Sequence, residues 1–262
     1  MAHSHTNGVS SATEVRHLNL LCDSPRKKNL ALIQLNTPLP EDEIKFFRQL
    51  WSDASVVASV DGAINLLYDS SCLNRKDFIP KLITGDFDSA RPDVLEFYRQ
   101  EGSSVISTPD QNETDFTKCV SVVMKHVERE KLSVDTIVAY MSHQSKRFDH
   151  LMASINTLYT TAKTFPQSFL CLYSKSCLTF LINSGKTILH FPPRYNHLKC
   201  GLLPIGRQCE HVTTTGLRWN LNEGKLEFGG MVSSSNEIDS ESGTVSIVTS
   251  HPFVWTMTFC ET

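Results

Sequence analysis

The sequence predicts an α/β domain followed by an all-β domain. From about Leu30 to Ile155, short apolar runs alternate with segments of helical periodicity, which is typical of a parallel sheet covered by helices on both faces. After Ser176 the segments become short and strand-like, and clusters of Gly, Pro, Asn and Ser separate them, which favours a sandwich or a barrel. The 262 residues, 40% apolar and 20% charged, are enough for about one or two domains with a substantial core.

Six strands and five helices are predicted to alternate in the α/β region. The strands are the apolar runs LALIQL, SVVASV, residues 81–84, SVIST, DTIVAY and SFLCLYS. The helices are EDEIKFFRQLW, AINLLYDS, VLEFYRQ, TDFTKCVSVVMKHV and FDHLMASINTLYTTA. Apolar residues at helical spacing predict the faces that pack on the core: Ile44, Phe47 and Trp51 in the first helix, Phe116, Cys119, Val120, Val123 and Val127 in the fourth, and Phe148, Leu151, Met152, Ile155 and Leu158 in the fifth.

The all-β region is predicted from six further segments, CLTFLIN, KTILHF, HVTTTGLRW, KLEFGG, TVSIVTS and FVWTMTF. We therefore expect a disordered polar tail over residues 1–14, an α/β domain over residues 15–175 and a β domain over residues 176–262. The GKT at 185–187 is not a phosphate-binding loop, because Phe180 stands where the first glycine is required and no helix follows.

Composition excludes several classes of protein. The 25 basic and 28 acidic residues give a net charge of −3, which argues against a nucleic-acid surface or an anionic membrane as partner. The N-terminus has no apolar core typical of a signal peptide, and no apolar stretch is long enough to span a bilayer. The eight cysteines contain no CxxC pair, so we expect reduced thiols, no zinc site and a cytoplasmic location.

The segment LITGDFDSARP gives the clearest local indication of a site. A buried strand ends at Gly85, and Asp86 and Asp88 follow it at the carboxyl end, where ligands bind in open α/β sheets. If the extended geometry continues, positions i and i+2 point the same way, and a cation between the two carboxylates offsets their repulsion. Oxygen ligands favour Mg²⁺ over zinc. The alternative is a turn in which Asp88 caps the next helix.

Two more strand-to-helix junctions carry aspartates. In STPDQNETDFTK a helix begins near Asp115, and its free N–H groups attract phosphate, although Asp115 repels phosphate unless a metal joins the two. Thr114 or Asp115 is the expected N-cap, and a plain capped helix is the alternative. In SVDGAINLLYD, Asp61 precedes Gly62 and a helix, so it lies at the same topological position or serves as a cap.

The fourth junction, KRFDHLMASINTL, adds a cation. Arg147 stands at the start of a helix, where it opposes the helix dipole, and binding an anion such as phosphate explains that position. Asp149 is a further candidate carboxylate. Together the four junctions predict a crevice for a magnesium nucleotide, in which metal ions neutralise both aspartates and phosphates.

The β region contributes one aromatic candidate. Trp219 lies among polar residues in TTTGLRWNL, and the serines and asparagine at 233–236 follow an FGG turn. An indole face stacks well on a flat, cationic heteroaromatic ring, and a tryptophan in the sandwich core is the alternative.

These motifs resemble those of eukaryotic thiamine pyrophosphokinases. The stretches that match are DGAINLLYD, GDFDS, STPDQNETDFTK, RFDHLMASINTL, TTTGLRWNL, SSSNEI and HPFVWTM, which cover about residues 30–260 in order. The resemblance implies a Rossmann-like catalytic domain, a C-terminal β-sandwich domain that binds thiamine and makes the dimer contact, and a homodimer. It also implies Mg²⁺-dependent transfer of pyrophosphate from ATP to the hydroxyethyl group of thiamine, giving thiamine diphosphate and AMP.

The resemblance also implies roles for particular residues. The implied catalytic residues are Asp86, Asp88, Asp115 and Arg147, of which the three aspartates bind metal. The implied substrate and nucleotide residues are Asp61, Asn65, Gln111, Thr114, Lys118, Asp149, Thr215, Trp219, Ser235 and Asn236. Trp219 is implied to reach thiamine across the dimer interface.

One segment departs from the family pattern. A glycine-rich loop is expected before Arg147, but the segment here is MSHQSKRFDH, with Ser142, His143 and Lys146 where glycines are expected. Glycines let backbone N–H groups approach phosphate, so a thiamine-binding homologue with impaired catalysis is the alternative function. Lys146 is an alternative source of positive charge. A magnesium-dependent kinase that acts on another alcohol is a third hypothesis.

Overall fold

The computed structural model describes residues 13–18, 29–144 and 147–259. Within them the strands are β1 (Glu14–His17), β2 (Leu30–Gln34), β3 (Ala54–Val60), β4 (Leu82–Gly85), β5 (Ser104–Ser107), β6 (Thr136–Tyr140), β7 (Phe169–Tyr173), β8 (Cys177–Ile182), β9 (Gly185–His190), β10 (Lys199–Leu203), β11 (Cys209–Thr215), β12 (Gly224–Leu226), β13 (Ser233–Glu237), β14 (Thr244–Thr249) and β15 (Phe253–Thr258). The helices are α1 (Ile44–Asp53), α2 (Ala63–Asp69), α3 (Pro92–Gln100), α4 (Asp115–Arg129) and α5 (Phe148–Thr164). Residues 1–12 of the tail predicted at 1–14, together with Cys22, Cys260 and Lys146, lie outside the described residues, whereas Glu14 is the first residue of β1 and not part of a disordered tail.

The chain divides into two compact units. Of the described residues, the larger unit comprises those between 24 and 181 and those from 256 onward, and the smaller unit comprises those before 24 and those between 182 and 255. In the larger unit the strand order is β8-β7-β6-β2-β3-β4-β5, in which β8 is antiparallel to β7 and the other neighbours are parallel. The chain runs outward from β2 to β5 on one side and from β6 to β7 on the other. The crevice outside the carboxyl ends at this reversal is where open α/β sheets bind ligands.

The helices of the larger unit pack the faces that their periodicity indicates, with two differences, although Ile44, Trp51, Leu151 and Met152 are only half-buried. In α4 the predicted stripe from Phe116 to Val127 is buried. Before α1, a short 3₁₀ turn (Glu41–Glu43) places the carboxylate of Glu43 on the same buried face as Phe47 and Leu50. Burial of a carboxylate is unfavourable unless it is paired, so Glu43 must have partners in the interior.

The predicted core face of α5 is wrong at its first residue. Phe148 is 73% exposed, whereas Ile155 and Leu158 are buried as predicted. The helix instead buries several threonines and a serine, because their hydroxyls find partners there. Thr157 lies 2.8 Å from the Thr117 hydroxyl on α4 and donates to the Ala153 carbonyl. An apolar stripe alone does not identify a helix face that packs through satisfied hydroxyls.

The smaller unit is rich in β-strands. It contains the five-stranded sheet β1-β9-β14-β11-β12, and it also contains strands β13 and β10 and the first part of β15, which are hydrogen-bonded in that order. The five-stranded sheet begins at β1 and ends at β12 among the described residues, so it is open and the barrel alternative is wrong. β1 pairs in parallel with β9, and therefore residues 14–17 belong to the sheet of the smaller unit, whereas the predicted α/β domain began at residue 15.

Two predictions from composition concern the whole chain. Within the described residues, no helix is both long enough and apolar enough to cross a membrane. Six of the eight cysteines lie in the described part, and these six form no disulfide.

Candidate active site

Asp61 is held rigidly at the end of β3. Its backbone has φ 46°, a left-handed conformation that is rare outside glycine, and its N–H donates to the Thr84 carbonyl on β4 at 2.8 Å. A Cβ at Gly85 would stand 2.8 Å from the Asp61 Cβ. Because real atoms do not approach that closely, glycine is required at position 85 for Asp61 to lie against β4.

The loop after β4 carries two carboxylates in different environments. The Gln111 amide donates to Asp86 at 3.0 Å, and the Asp88 N–H donates to it at 3.3 Å, so the pKa of Asp86 is lowered. The pKa of Asp88 is raised, chiefly by the nearby Asp86 carboxylate and then by that of Asp61. Since like charges disfavour ionisation, this end of the sheet is strongly anionic.

Lys118 fixes the start of α4. Its ammonium group is buried, donates to the carbonyls of Thr108 at 2.6 Å and Asp110 at 2.8 Å, and lies 2.7 Å from a carboxylate oxygen of Asp115. Thr114 is the N-cap, because its hydroxyl accepts from the Thr117 N–H at 3.2 Å. Lys118 and Thr114 therefore set the position of Asp115 and of the loop that enters the helix.

Three carboxylates converge at this edge of the sheet. Asp61, Asp86 and Asp115 each place one oxygen so that the three atoms lie within 4.8 Å of one another. Ser89 donates to one oxygen of Asp61, while the other is buried and has no hydrogen-bond partner among the described residues. Three clustered anions with a buried, unpaired oxygen fit a hard divalent cation, which takes oxygen ligands.

The convergent set differs from the predicted metal set of Asp86, Asp88 and Asp115. The prediction assumed that the chain stays extended after β4, but Phe87 has φ 64° and the Asp86 side chain accepts from the Asp88 N–H. This local turn ends the alternation of an extended strand. Asp88 is exposed beside the other carboxylates, and Asp61 takes its place in the group of three. Neither Asp61 nor Asp88 caps a helix, since the N-caps of α2 and α3 are Gly62 and Arg91.

Other predicted residues support or flank this group. The Asn65 amide donates to the Ser89 carbonyl at 2.8 Å and accepts from the Arg91 N–H at 3.1 Å, so it fixes the loop after β4. Arg147 is the N-cap of α5, and its guanidinium pairs with Asp149, both side chains being 64% exposed. This pairing lowers the pKa of Asp149 and leaves the pair open to solvent.

In the smaller unit, Asn236 holds the predicted aromatic residue. The buried Asn236 amide accepts from the Trp219 N–H at 3.2 Å and donates to the Trp219 carbonyl at 2.8 Å. The Trp219 side chain is 53% exposed, which excludes the core alternative, and the Arg218 guanidinium lies 4.9 Å from its ring centroid. Thr215 and Ser235 are exposed on β11 and β13. At the turn after β11, Gly216 has φ 83°, and a Cβ there would lie 2.3 Å from the Thr244 carbonyl oxygen.

Sequence reasoning missed three polar residues that the structure places in these networks. Ser89 directly follows the GDFD motif, and this position next to the candidate aspartates could have identified it as a site residue. Glu237 follows Asn236 and pairs with Lys199, His197 and Arg218, which lower the pKa of its carboxyl to about 2. Glu43 stands among the acidic residues that open a predicted helix, a pattern that ordinarily indicates solvent exposure.

The chain resembles known proteins over most of its length. Residues 47–170 match "Thiamin pyrophosphokinase, catalytic domain" and residues 186–254 match "Thiamin pyrophosphokinase, vitamin B1 binding domain". The chain is 35% identical over 248 residues to thiamine pyrophosphokinase 2 of Oryza sativa subsp. japonica, covering 90% of this chain and 89% of the relative. It is 32% identical over 254 residues to thiamine pyrophosphokinase 2 of Arabidopsis thaliana, covering 93% and 91%. The crystal structure of yeast thiamin pyrophosphokinase is similar with a TM-score of 0.79 at 25% identity, over 94% of this chain and 90% of that one.

Proposed function

The chain belongs to the thiamin pyrophosphokinase family, and we propose that it transfers the pyrophosphate group of ATP to the hydroxyethyl group of thiamine, giving thiamine diphosphate and AMP. One observation carries this proposal. The catalytic match lies in the larger unit, which holds the carboxylates, and the vitamin B1 match lies in the smaller unit, which holds Trp219. A thiamine-binding homologue without catalysis is not what these relatives support.

Asp61, Asp86 and Asp115 are the residues that would hold Mg²⁺, with Asp88 beside them. Two observations support this assignment: one buried oxygen of Asp61 has no hydrogen-bond partner in the part of the chain that the structure describes, and one oxygen of each residue lies within 4.8 Å of the others. When bound, Mg²⁺ supplies positive charge that neutralises the phosphates. Gln111 and Lys118 keep the carboxylates in place before substrate arrives, since their hydrogen bonds and ion pair fix Asp86 and Asp115. Such preorganisation lowers the barrier to phosphoryl transfer.

Arg147 and the N-terminus of α4 are proposed to bind the polyphosphate. The Arg147 guanidinium is exposed at the start of α5 and pairs only with the exposed carboxylate of Asp149 among the described contacts, so a phosphate can compete for it. The first N–H groups of α4 add positive potential near Asp115. AMP is the leaving group, and the guanidinium offsets the negative charge that develops on it.

Trp219 is proposed to stack on the heteroaromatic rings of thiamine. It exposes half of its side chain, while Asn236 fixes its backbone. Thr215 and Ser235 are proposed to contribute hydroxyls to thiamine. We further propose a homodimer, in which Trp219 reaches thiamine across the interface, and a cytoplasmic location without nucleic-acid or membrane partners.

Mass-resolved product analysis tests this function. Purified protein is incubated with ATP, thiamine and Mg²⁺, and we expect thiamine diphosphate and AMP in equal amounts. ADP with thiamine monophosphate would instead identify transfer of the γ-phosphoryl group. Thiamine binding without AMP would identify an impaired homologue, and either result would contradict the proposal.

A further inference from the structure

Glu43 is a buried carboxylate whose hydrogen bonds, within the described residues, go to the end of β6 and the segment after it. Its side chain is fully buried. One oxygen accepts from the Tyr140 hydroxyl, and the other accepts from the His143 N–H at 3.2 Å and contacts the His143 ring nitrogen Nδ1. A buried carboxylate needs such partners, and Glu43 is thus fixed to residues 140–143.

The same segment is linked to the carboxylate group through side chains at the carboxyl edge of the sheet. The Ser142 N–H donates to the Thr37 hydroxyl at 3.1 Å, in the loop after β2. The neighbouring Asn36 packs against Gly62, where a Cβ would lie 2.9 Å from the Asn36 amide nitrogen. Gly62 directly follows Asp61. Contiguous contacts therefore connect Glu43 and the segment after β6 to Asp61, a member of the group of three carboxylates.

We propose that Glu43 is a positioning residue for the nucleotide. It fixes residues 140–144, of which residues 142–144 replace the first part of the expected glycine-rich loop. A segment with ordinary side chains needs such an anchor, because it lacks the close backbone approach to phosphate that glycines allow. The identity of the nucleotide as ATP rests on the proposed function, whereas the anchoring of the segment does not.

Kinetics and hydrogen exchange of three variants test this role. Glu43→Ala removes the acceptor, and His143→Ala removes only the ring while keeping the backbone N–H and leaving Tyr140 satisfied. Both variants should raise the KM for ATP, by about tenfold in Glu43→Ala and less in His143→Ala, with the KM for thiamine within about twofold of wild type. Amide exchange in peptides that cover residues 141–144 should become faster. Glu43→Gln keeps the size and an accepting oxygen and should restore most of the ATP affinity.

Glu41→Gln is the matched control, because Glu41 is exposed in the same 3₁₀ turn and changes the charge equally. Faster exchange with an unchanged KM for ATP in both alanine variants would overturn the positioning role. Unchanged exchange would overturn the anchoring itself, and equal rises in both KM values would indicate a merely structural role. If wild type releases no AMP from ATP and thiamine, the proposed function fails, and the exchange data still decide whether Glu43 anchors the segment.

Discussion

The backbone of Asp61 is strained, and the contacts that place its carboxylate in the site maintain this strain. A left-handed backbone is unfavourable for an aspartate, and such strain is retained where the surrounding structure enforces it. Here the Thr84 carbonyl holds the Asp61 N–H, and Gly85 leaves the space for its Cβ. The result is a carboxylate with one buried oxygen that has no hydrogen-bond partner among the described residues, and with an oxygen within 4.8 Å of oxygens of Asp86 and Asp115. The site is thus prepared at the cost of local backbone strain.

Replacement of Asp115 tests the carboxylate group at the level of a single residue. Asp115→Asn removes one anionic oxygen, so we expect kcat to fall by about two to three orders of magnitude and the rise in melting temperature on addition of Mg²⁺ to be lost. Steady-state kinetics and thermal unfolding measure the two effects.

Glu113→Gln is the matched control for this change, because Glu113 is exposed two residues earlier in the loop. It should leave both kcat and the Mg²⁺-dependent melting temperature near their wild-type values. An Asp115→Asn protein with wild-type kcat and an intact response to Mg²⁺ would refute the assignment.

At the scale of elements, each candidate site is a loop held by a polar side chain from a neighbouring element. Lys118 on α4 fixes the loop after β5, Glu43 before α1 fixes the segment after β6, and Asn236 on β13 fixes Trp219 after β11. Regular elements supply rigid anchors, and the loops between them carry the groups that meet ligands. Without its anchor, such a loop keeps the side chains that meet the ligand but no longer holds them in position.

Asn236→Ala tests this relation in the smaller unit. It removes the two hydrogen bonds to the Trp219 backbone and leaves the indole unchanged, so the KM for thiamine should rise by about tenfold while the KM for ATP stays within about twofold. Asn222→Ala, an exposed asparagine in the same loop, should change neither KM. Equal KM values for thiamine in wild type and Asn236→Ala would show that Trp219 needs no anchor.

At the scale of the whole molecule, proton binding links the charge distribution to stability. The carboxyls of Asp86, Glu96, Glu130, Asp149 and Glu237 all have lowered pKa values in the folded chain, and Asp88 has a raised one. On acidification the unfolded chain therefore takes up protons at the five lowered groups before the folded chain does. In the pH range where this occurs, the free energy of unfolding decreases as the pH decreases.

Glu237 provides the clearest test of this linkage. In the folded chain the pKa of Glu237 is about 2, lowered chiefly by Lys199 and then by His197. In the unfolded chain the pKa of a glutamate is about 4.3. Its stabilisation is thus complete above the unfolded pKa and is lost as pH falls from about 4 towards about 2. Denaturant unfolding should find Glu237→Gln less stable than wild type at pH about 7, and the difference should vanish as pH approaches the folded pKa.

The exposed Glu223 serves as the control, because its side chain is 70% exposed and pairs only with an exposed histidine among the described ion pairs. Glu223→Gln should change stability little across the same pH range. A difference between wild type and Glu237→Gln that stays constant down to the folded pKa would contradict the linkage.

Much of the fold and of the site could be predicted from the sequence, because both follow local patterns. The alternation of apolar runs and helical stripes gave the parallel sheet, and the buried face of α4 is as predicted. The aspartates at strand ends were identified because parallel strands bring their carboxyl ends to one edge. The catalytic, metal-binding and substrate-binding roles assigned to the site residues all remain predictions, including those of Thr215, Ser235 and Arg147.

The sequence by itself determined the order of elements from β2 to β7 and the residue types at the carboxyl edge, since periodicity and turn chemistry act over a few neighbours, but it did not predict strands β1, β10 and β13. Only the tertiary structure decided that Asp61 rather than Asp88 joins Asp86 and Asp115, that β1 joins the smaller unit, and that Glu43 is buried. Each of these depends on partners far along the chain: β4 for Asp61, β9 for β1, and Tyr140 and His143 for Glu43. Local pattern does not encode such pairings, because a charged side chain becomes favourable in the interior only when the fold brings its donors to it.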